Sequence, residues 1–149
     1  MDKFMEMALD EAQQGLAEGG IPIGSVLIHA GAVMGRGHNR RVQEGSVIRH
    51  AEMDALENAG RQKAEVYRQS TLYTTLSPCP MCSGAIRLYG IPVVVIGENF
   101  SYQGDEAVLR ESGVTLRVLQ SEACIELLKS FQESHPQLWA EDIGVPEDQ

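Results

Sequence analysis

The sequence predicts an α/β fold: one mixed five-stranded sheet with helices on both faces. Three observations predict it. From residue 50 onward, strand-like and helix-like stretches alternate, which implies parallel strands joined by helical crossovers. The first two strand-like runs are separated only by Ala30-Gly31, so they pair as a hairpin and make the sheet mixed. The chain has 149 residues, 43% of them apolar, which is enough for a buried core.

Each element follows from its residues. Phe4, Met5, Ala8, Leu9, Ala12 and Leu16 recur at three- and four-residue steps and predict an amphipathic helix, stopped by Gly19-Gly20. Ile23 to Ile28 and Ala32 to Gly37 are the hairpin strands, and His38 to Arg49 is polar enough for a loop. His50 to Asn58 is rich in helix formers and meets a stop at Gly60. Thr71 to Leu76 is β-branched and aromatic, hence a strand. Ser77-Pro78 opens a helix that runs to about Tyr89, ahead of Gly90. Pro92 to Ile96 is too apolar for a half-exposed strand. Asp105 to Ser112 predicts a short helix, Val114 to Leu119 a strand and Glu122 to Glu133 a last helix. The tail from His135 carries Trp139, the single Trp. No linker, repeat or low-complexity stretch interrupts this pattern, so residues 1–149 read as one domain.

Charge and cysteine usage narrow the function classes. A net charge of −9 is a poor match for nucleic acid, whose phosphates need clustered Lys and Arg, and Arg40-Arg41 makes no basic patch. A small uncharged or cationic partner fits better. Three Cys without a secretory signal argue against a disulfide framework and for reduced thiols in a cytoplasmic setting. No run approaches the ~20 apolar residues of a membrane helix.

Two fragments carry chemistry: His50-Ala51-Glu52 and Pro78-Cys79-Pro80-Met81-Cys82. Together they form the H-x-E…P-C-x-x-C pattern known for zinc nucleobase deaminases. Both fall at predicted helix starts. Cys79 and Cys82 are three apart, so a first helical turn puts both thiols on one side, where the helix N-terminus favours thiolate. His50 adds a nitrogen ligand. Three protein ligands leave the fourth position of tetrahedral zinc for water, as in catalytic sites. Glu52 lies about 200° round the helix from His50, so it does not ligate beside it. Zinc lowers the pKa of bound water to near ~7, and Glu52 is the candidate to take that proton to the ring nitrogen and the departing amine.

Taken singly, these residues have plainer readings. A C-x-x-C pair can be a redox pair or half a structural zinc site, a helical His a surface or core residue, and a Glu near a helix start a dipole complement. Together, with Pro directly before the first Cys, the plain readings require several coincidences. Cys124, among Ile125, Leu127 and Leu128, reads as a buried apolar residue.

Longer stretches also carry a likeness. Gly35-Arg36-Gly37-His38-Asn39, the His50-Ala51-Glu52 helix, Thr71 to Cys79 and Trp139-Ala140-Glu141-Asp142-Ile143-Gly144 resemble the fungal-type cytosine deaminase family of the cytidine-deaminase-like superfamily. The resemblance runs from about Ala8 to Gly144, and its C-terminal part is the more specific. It implies a three-layer α/β/α homodimer that uses zinc to convert free cytosine to uracil and ammonia. It also implies roles for particular residues. Asn39 and the backbone of Ala51 would hold the pyrimidine edge bearing the carbonyl. Asp142 and the Ser77 region would hold the exocyclic amine. Trp139 would close the pocket over the ring, with Ile23 and Phe100 or Tyr102 along its walls. The family has Phe where Tyr102 falls, the turn at Ala30-Gly31 is shorter here, and the tail past Gly144 has no counterpart. Without the resemblance, Asn39 is equally a turn residue, Trp139 a core residue and Asp142 a solvated one.

Two classes of rival remain. One is a zinc deaminase for another amine: guanine, isocytosine, cytidine or adenosine in transfer RNA. The other is a non-catalytic zinc module, which would need a fourth ligand and no Glu52.

Overall fold

The structure is a computed structural model that describes residues 2–146. The expected layering is present. Strands β1 (Gly24–His29), β2 (Ala32–His38), β3 (Ser70–Thr74), β4 (Val93–Ile96) and β5 (Thr115–Val118) form one sheet in the order β2-β1-β3-β4-β5. β1 runs antiparallel to β2 and β3, whereas β3, β4 and β5 are parallel.

Period-two alternation sends side chains to two cores. Leu27, Leu72, Val94 and Ile96 pack on one face with Ile86 and Leu109. Val26, Ile28, Tyr73 and Val95 pack on the other with Met5, Ala8 and Cys124. The first face is covered by α3 (Ala51–Ala59), α5 (Pro80–Tyr89) and α6 (Glu106–Glu111); the second is covered by α1 (Lys3–Ala17) and α7 (Glu122–Ser134). Helix α1 starts at Asp2, whose Oδ1 accepts from Phe4 N at 2.8 Å, an orphan donor of the first turn satisfied by its N-cap.

Gly35 and Gly37 have a packing reason. A Cβ at Gly35 would run into the main chain of α3 at Ala55 and Ala59, and one at Gly37 into the Asp54 carboxylate. These two positions let α3, and with it His50 and Glu52, lie directly on β2.

Three short helices depart from the expected pattern. The loop after His38 contains one helical turn, α2 (Arg41–Glu44), and α4 (Ala64–Tyr67) precedes β3. The tail from His135 is not extended: α8 (Pro136–Asp142) packs against the end of α7. Helix α5 also begins later than expected, with Cys79 as N-cap and Pro80, not Pro78, in its first turn. A third cluster, with Ile21, Ile23, Ala51, Leu76, Leu128 and Phe131 buried and Trp139 partly so, joins α8 to the end of the sheet where β3 and β4 finish. In α/β sheets that end is where ligands are held.

Candidate active site

His50 and Cys79 are the N-caps of α3 and α5, so two helix starts meet at one point. His50 Nδ1 lies 3.4 Å from Cys79 Sγ and 3.8 Å from Cys82 Sγ. The three ligand atoms all fall within 4.8 Å of one another. A tetrahedral zinc with ordinary bond lengths needs nitrogen–sulfur separations of about 3.6 Å, so this donor set fits the metal. Cys79 Sγ also accepts from Cys82 N at 3.5 Å, as an N-cap should.

The protonation of the metal-free cluster follows from these contacts. The Cys82 thiol beside it, with His50, holds Cys79 down to about 4 against the opposing effect of burial. Burial opposes charge on His50, but hydrogen bonds to Asp142 and Cys79 outweigh it and raise its pKa to about 10. Cys82 is pushed up by donating to Cys79 and by burial. Zinc uptake therefore has to displace the His50 and Cys82 protons, because zinc takes neutral imidazole and thiolate.

Glu52 is 4% exposed and faces the same cavity. Burial, reinforced by the Cys79 thiolate, raises its pKa to about 7. A carboxyl poised there can both take and give a proton at neutral pH.

The cavity is narrow, and its walls include Ile23, Ala51, Glu52, Ser77, Tyr102 and Asp142. It opens outward past Arg41, Val47, Pro80 and Met81. Asp142 is buried and central. Its Oδ1 accepts from Asn39 Nδ2 at 2.8 Å and lies 3.3 Å from His50 Nε2. A carboxylate on the second nitrogen of a ligating imidazole fixes the ring and its tautomer. Asn39 is fully buried, and its Oδ1 accepts from Arg41 N at 3.0 Å. Asp142 is thus not a solvated residue, while Asn39 does make the Asx-turn its local sequence allowed and, buried, also bonds Asp142.

The structure corrects two expectations, those for Phe100 and for Trp139. Phe100 is 76% exposed and does not line the cavity, whereas Tyr102 does. The loop is pinned by Ser101 N donating to Glu98 Oε2 at 2.8 Å and Gly104 N donating to Ser77 Oγ at 2.9 Å, which leaves Tyr102 between the anchors. Trp139 packs edge-on against Tyr102, with centroids 6.0 Å apart at 81°, and supports the wall rather than lining it. Sequence reasoning missed Ile143 and Leu76, which line the cavity, and the buried Glu106, whose Oε2 accepts from Ser77 Oγ at 2.7 Å. Glu106 sits at a helix start, where sequence suggests only a dipole complement.

Comparison with known families is decisive at this point. Residues 1–98 match the family described as "Cytidine and deoxycytidylate deaminase zinc-binding region". The chain belongs to this family. It is a zinc deaminase, and the His50, Cys79, Cys82 donor set is consistent with zinc. Relatives span it almost completely. A cytosine deaminase of Candida albicans is 51% identical over 95% of both chains. A tRNA-specific adenosine deaminase of Streptococcus pyogenes is 37% identical over 86% of this chain and 87% of its own. A solved structure from a study of tRNA:A34 deaminases superposes with a TM-score of 0.74 at 29% identity, covering 86% of this chain and all (100%) of that one. A guanine deaminase from Nitrosomonas europaea, at 22% identity and a TM-score of 0.73 over 87% of this chain and 83% of its own, shares the fold.

Proposed function

We propose that this deaminase hydrolyses free cytosine to uracil and ammonia. The observation that carries the reading is the buried Asn39–Asp142 pair, 2.8 Å apart, of which Asp142 lines a narrow cavity together with Glu52, His50 and Cys79. Such a cavity suits a flat ring that needs a few fixed polar groups. The 51% identity with the Candida albicans cytosine deaminase supports it.

Each residue has a definable task. Asn39 Nδ2 gives one hydrogen to Asp142 and keeps the other for the ring carbonyl, with the Ala51 backbone beside it. Ser77 Oγ is already committed to Glu106 and Gly104, so its main-chain carbonyl is left for the exocyclic amine. Asp142 Oδ1 is committed to Asn39 and His50, which leaves Oδ2 for the same amine. Ile23 and Tyr102 sandwich the ring, and Trp139 backs Tyr102. His50 Nδ1, Cys79 Sγ and Cys82 Sγ would hold zinc, which when bound would supply the Lewis acidity that makes water a nucleophile near neutral pH. Glu52 takes one proton from the attacking water and delivers it to the ring nitrogen; it then takes the proton of the hydroxyl added at the ring carbon and passes it to the departing amine, so that both protons of the water are accounted for.

The tRNA-specific relatives at 37% identity favour a second reading, adenosine in tRNA. The net charge of −9 weighs against a polyanion. Among the described residues no helix is long and apolar enough to cross a membrane, and hydrolysis of the free base would make this a cytoplasmic enzyme of pyrimidine salvage. A homodimer is supported by exposed Leu88 (72%) and Tyr89 (42%), beside a groove between α3 and α5. One assay separates the substrates: ammonia release from cytosine, isocytosine, guanine, cytidine, creatinine and a tRNA anticodon stem-loop. Cytosine as the best substrate is the expected result, and no cytosine turnover refutes the assignment.

A further inference from the structure

We propose that Asp54 is a positioning residue that locks the substrate-side Asn39 and the metal ligand His50 in register, from the same helix that carries Glu52.

Asp54 is a carboxylate with no exposed surface, in the first turn of α3. All its contacts converge on one place. Oδ2 accepts from His38 N at 3.0 Å and from Arg40 Nε at 2.9 Å, the residues on either side of Asn39. Oδ1 accepts from Arg49 Nε at 2.8 Å, the residue before His50. Arg40 N donates to Arg49 O at 2.9 Å, so the segment between Asn39 and His50 is a closed loop with a hydrogen-bonded neck. Asp54 grips that neck from below with both oxygens. Gly37 is what lets the carboxylate approach β2, since a Cβ there would collide with it.

Two properties distinguish this arrangement from an ordinary buried ion pair. First, the carboxylate has three donors, one of them main chain, so it fixes backbone as well as side chains. Second, a buried carboxylate is costly unless fully partnered, so the neck and Asp54 hold each other in one arrangement. The consequence is mechanical. Asn39 reaches the cavity through Asp142, and His50 reaches the metal, each one residue from an Asp54 contact. Small displacements of reacting partners carry large costs in rate. Asp54 itself touches neither cavity nor ligand atoms, so it acts through its neighbours.

The Asn39 arm rests on the cytosine reading; the His50 arm does not. The test uses zinc-loaded wild type, Asp54→Asn, Arg40→Met and Arg49→Met. Three quantities are measured: KM and kcat for cytosine per bound zinc, the rate of zinc loss to EDTA, and Tm. Asp54→Asn is expected to raise KM about ten-fold, with a smaller fall in kcat per zinc, and to speed zinc loss about ten-fold. Arg40→Met is expected to raise KM while zinc loss stays near wild type. Arg49→Met is expected to speed zinc loss with little change in KM. A lowered Tm with wild-type KM and wild-type zinc loss in all variants would overturn the proposal, since that is what plain stabilisation gives. If Asp54→Asn does not fold, the two arginine variants decide alone, because their side chains are 28% and 30% exposed and removable. If wild type does not turn over cytosine, the zinc-loss comparison still reads the His50 arm: unchanged loss in Arg49→Met and Asp54→Asn overturns it.

Discussion

The metal wall of the cavity and the cover opposite it are held by different means. The wall comes from residues 50–52 and 79–82, at the starts of two helices that are each packed on the sheet. Its geometry follows from helix periodicity and N-capping, and it would look much the same for any amine. The cover comes from Tyr102 in a loop and from Trp139, Asp142 and Ile143 at the end of α8, a seven-residue helix. That helix is too short to be stable alone, so its position depends on the apolar cluster beneath it and on Asp142 bonding to Asn39 and His50. On the proposed function, the chemistry belongs to the rigid part and the substrate choice to the part added over it.

The largest effect is expected where the wall alone is altered. Glu52→Gln removes the proton carrier and leaves His50, Cys79 and Cys82 intact. We expect kcat to fall by about 10³-fold with zinc content unchanged at one per chain, measured by ammonia release and metal analysis. A fall of less than ten-fold would mean that the wall does not hold the proton shuttle.

The same variant tests the electrostatics of the wall through stability. Burial raises the Glu52 pKa in the folded chain from 4.5 to about 7. A raised folded pKa means a contribution that is fully present below pH 4.5 and lost as pH rises to about 7. In metal-free protein, wild type should thus lose stability relative to Glu52→Gln across that window, by up to about 3 kcal/mol, and the gap should be flat above it. Denaturant midpoints of both proteins at several pH values measure it, and a constant gap contradicts the buried carboxyl.

How much of each region could be read from the sequence follows the same division. The ligand spacing is local: three residues separate Cys79 from Cys82, and helix geometry does the rest. The sheet is also local in origin, since β1 and β4 carry apolar runs and β3 is β-branched and aromatic. The cover was legible only through resemblance. Asp142 and Asn39 are separated by 103 positions, and no periodicity joins them. Helix α8 has weak sequence signals, Pro136 at its first turn and Gly144 (φ 69°) after its end, and without periodicity it looks like a tail. Phe100 and Tyr102 are both aromatic and two residues apart; only the Glu98 and Ser77 hydrogen bonds decide between them. Asp54 carries no sequence signal beyond an acidic side chain near a helix start, and two of its three donors, His38 N and Arg40 Nε, come from the far side of a loop.

Asp142→Asn joins the two regions and should show an intermediate effect. The carboxylate orients His50 Nε2 and Asn39 Nδ2 together. Losing its charge should lower kcat/KM for cytosine by about 10–100-fold and weaken zinc retention in the same variant. A change in KM with zinc retention untouched would confine Asp142 to the cover and separate the two regions more sharply.

Tyr102→Phe should have the smallest effect on cytosine, and it tests what kind of specificity the cover provides. The ring lines the cavity and meets Trp139 edge-on at 6.0 Å, and Phe keeps both features. The hydroxyl makes no hydrogen bond within the protein among the described residues, so its removal leaves no protein group unpaired. The kcat/KM for cytosine should therefore stay within about three-fold of wild type. A site that hydrogen-bonds a substrate through a fixed group loses far more than this when the group is removed. A drop beyond about ten-fold for cytosine would make the hydroxyl a recognition group, and the cover would then select by polarity as well as by shape. Assaying cytidine and isocytosine in parallel separates the cases, because a hydroxyl that serves only a larger or differently substituted ring lowers those rates and leaves cytosine alone.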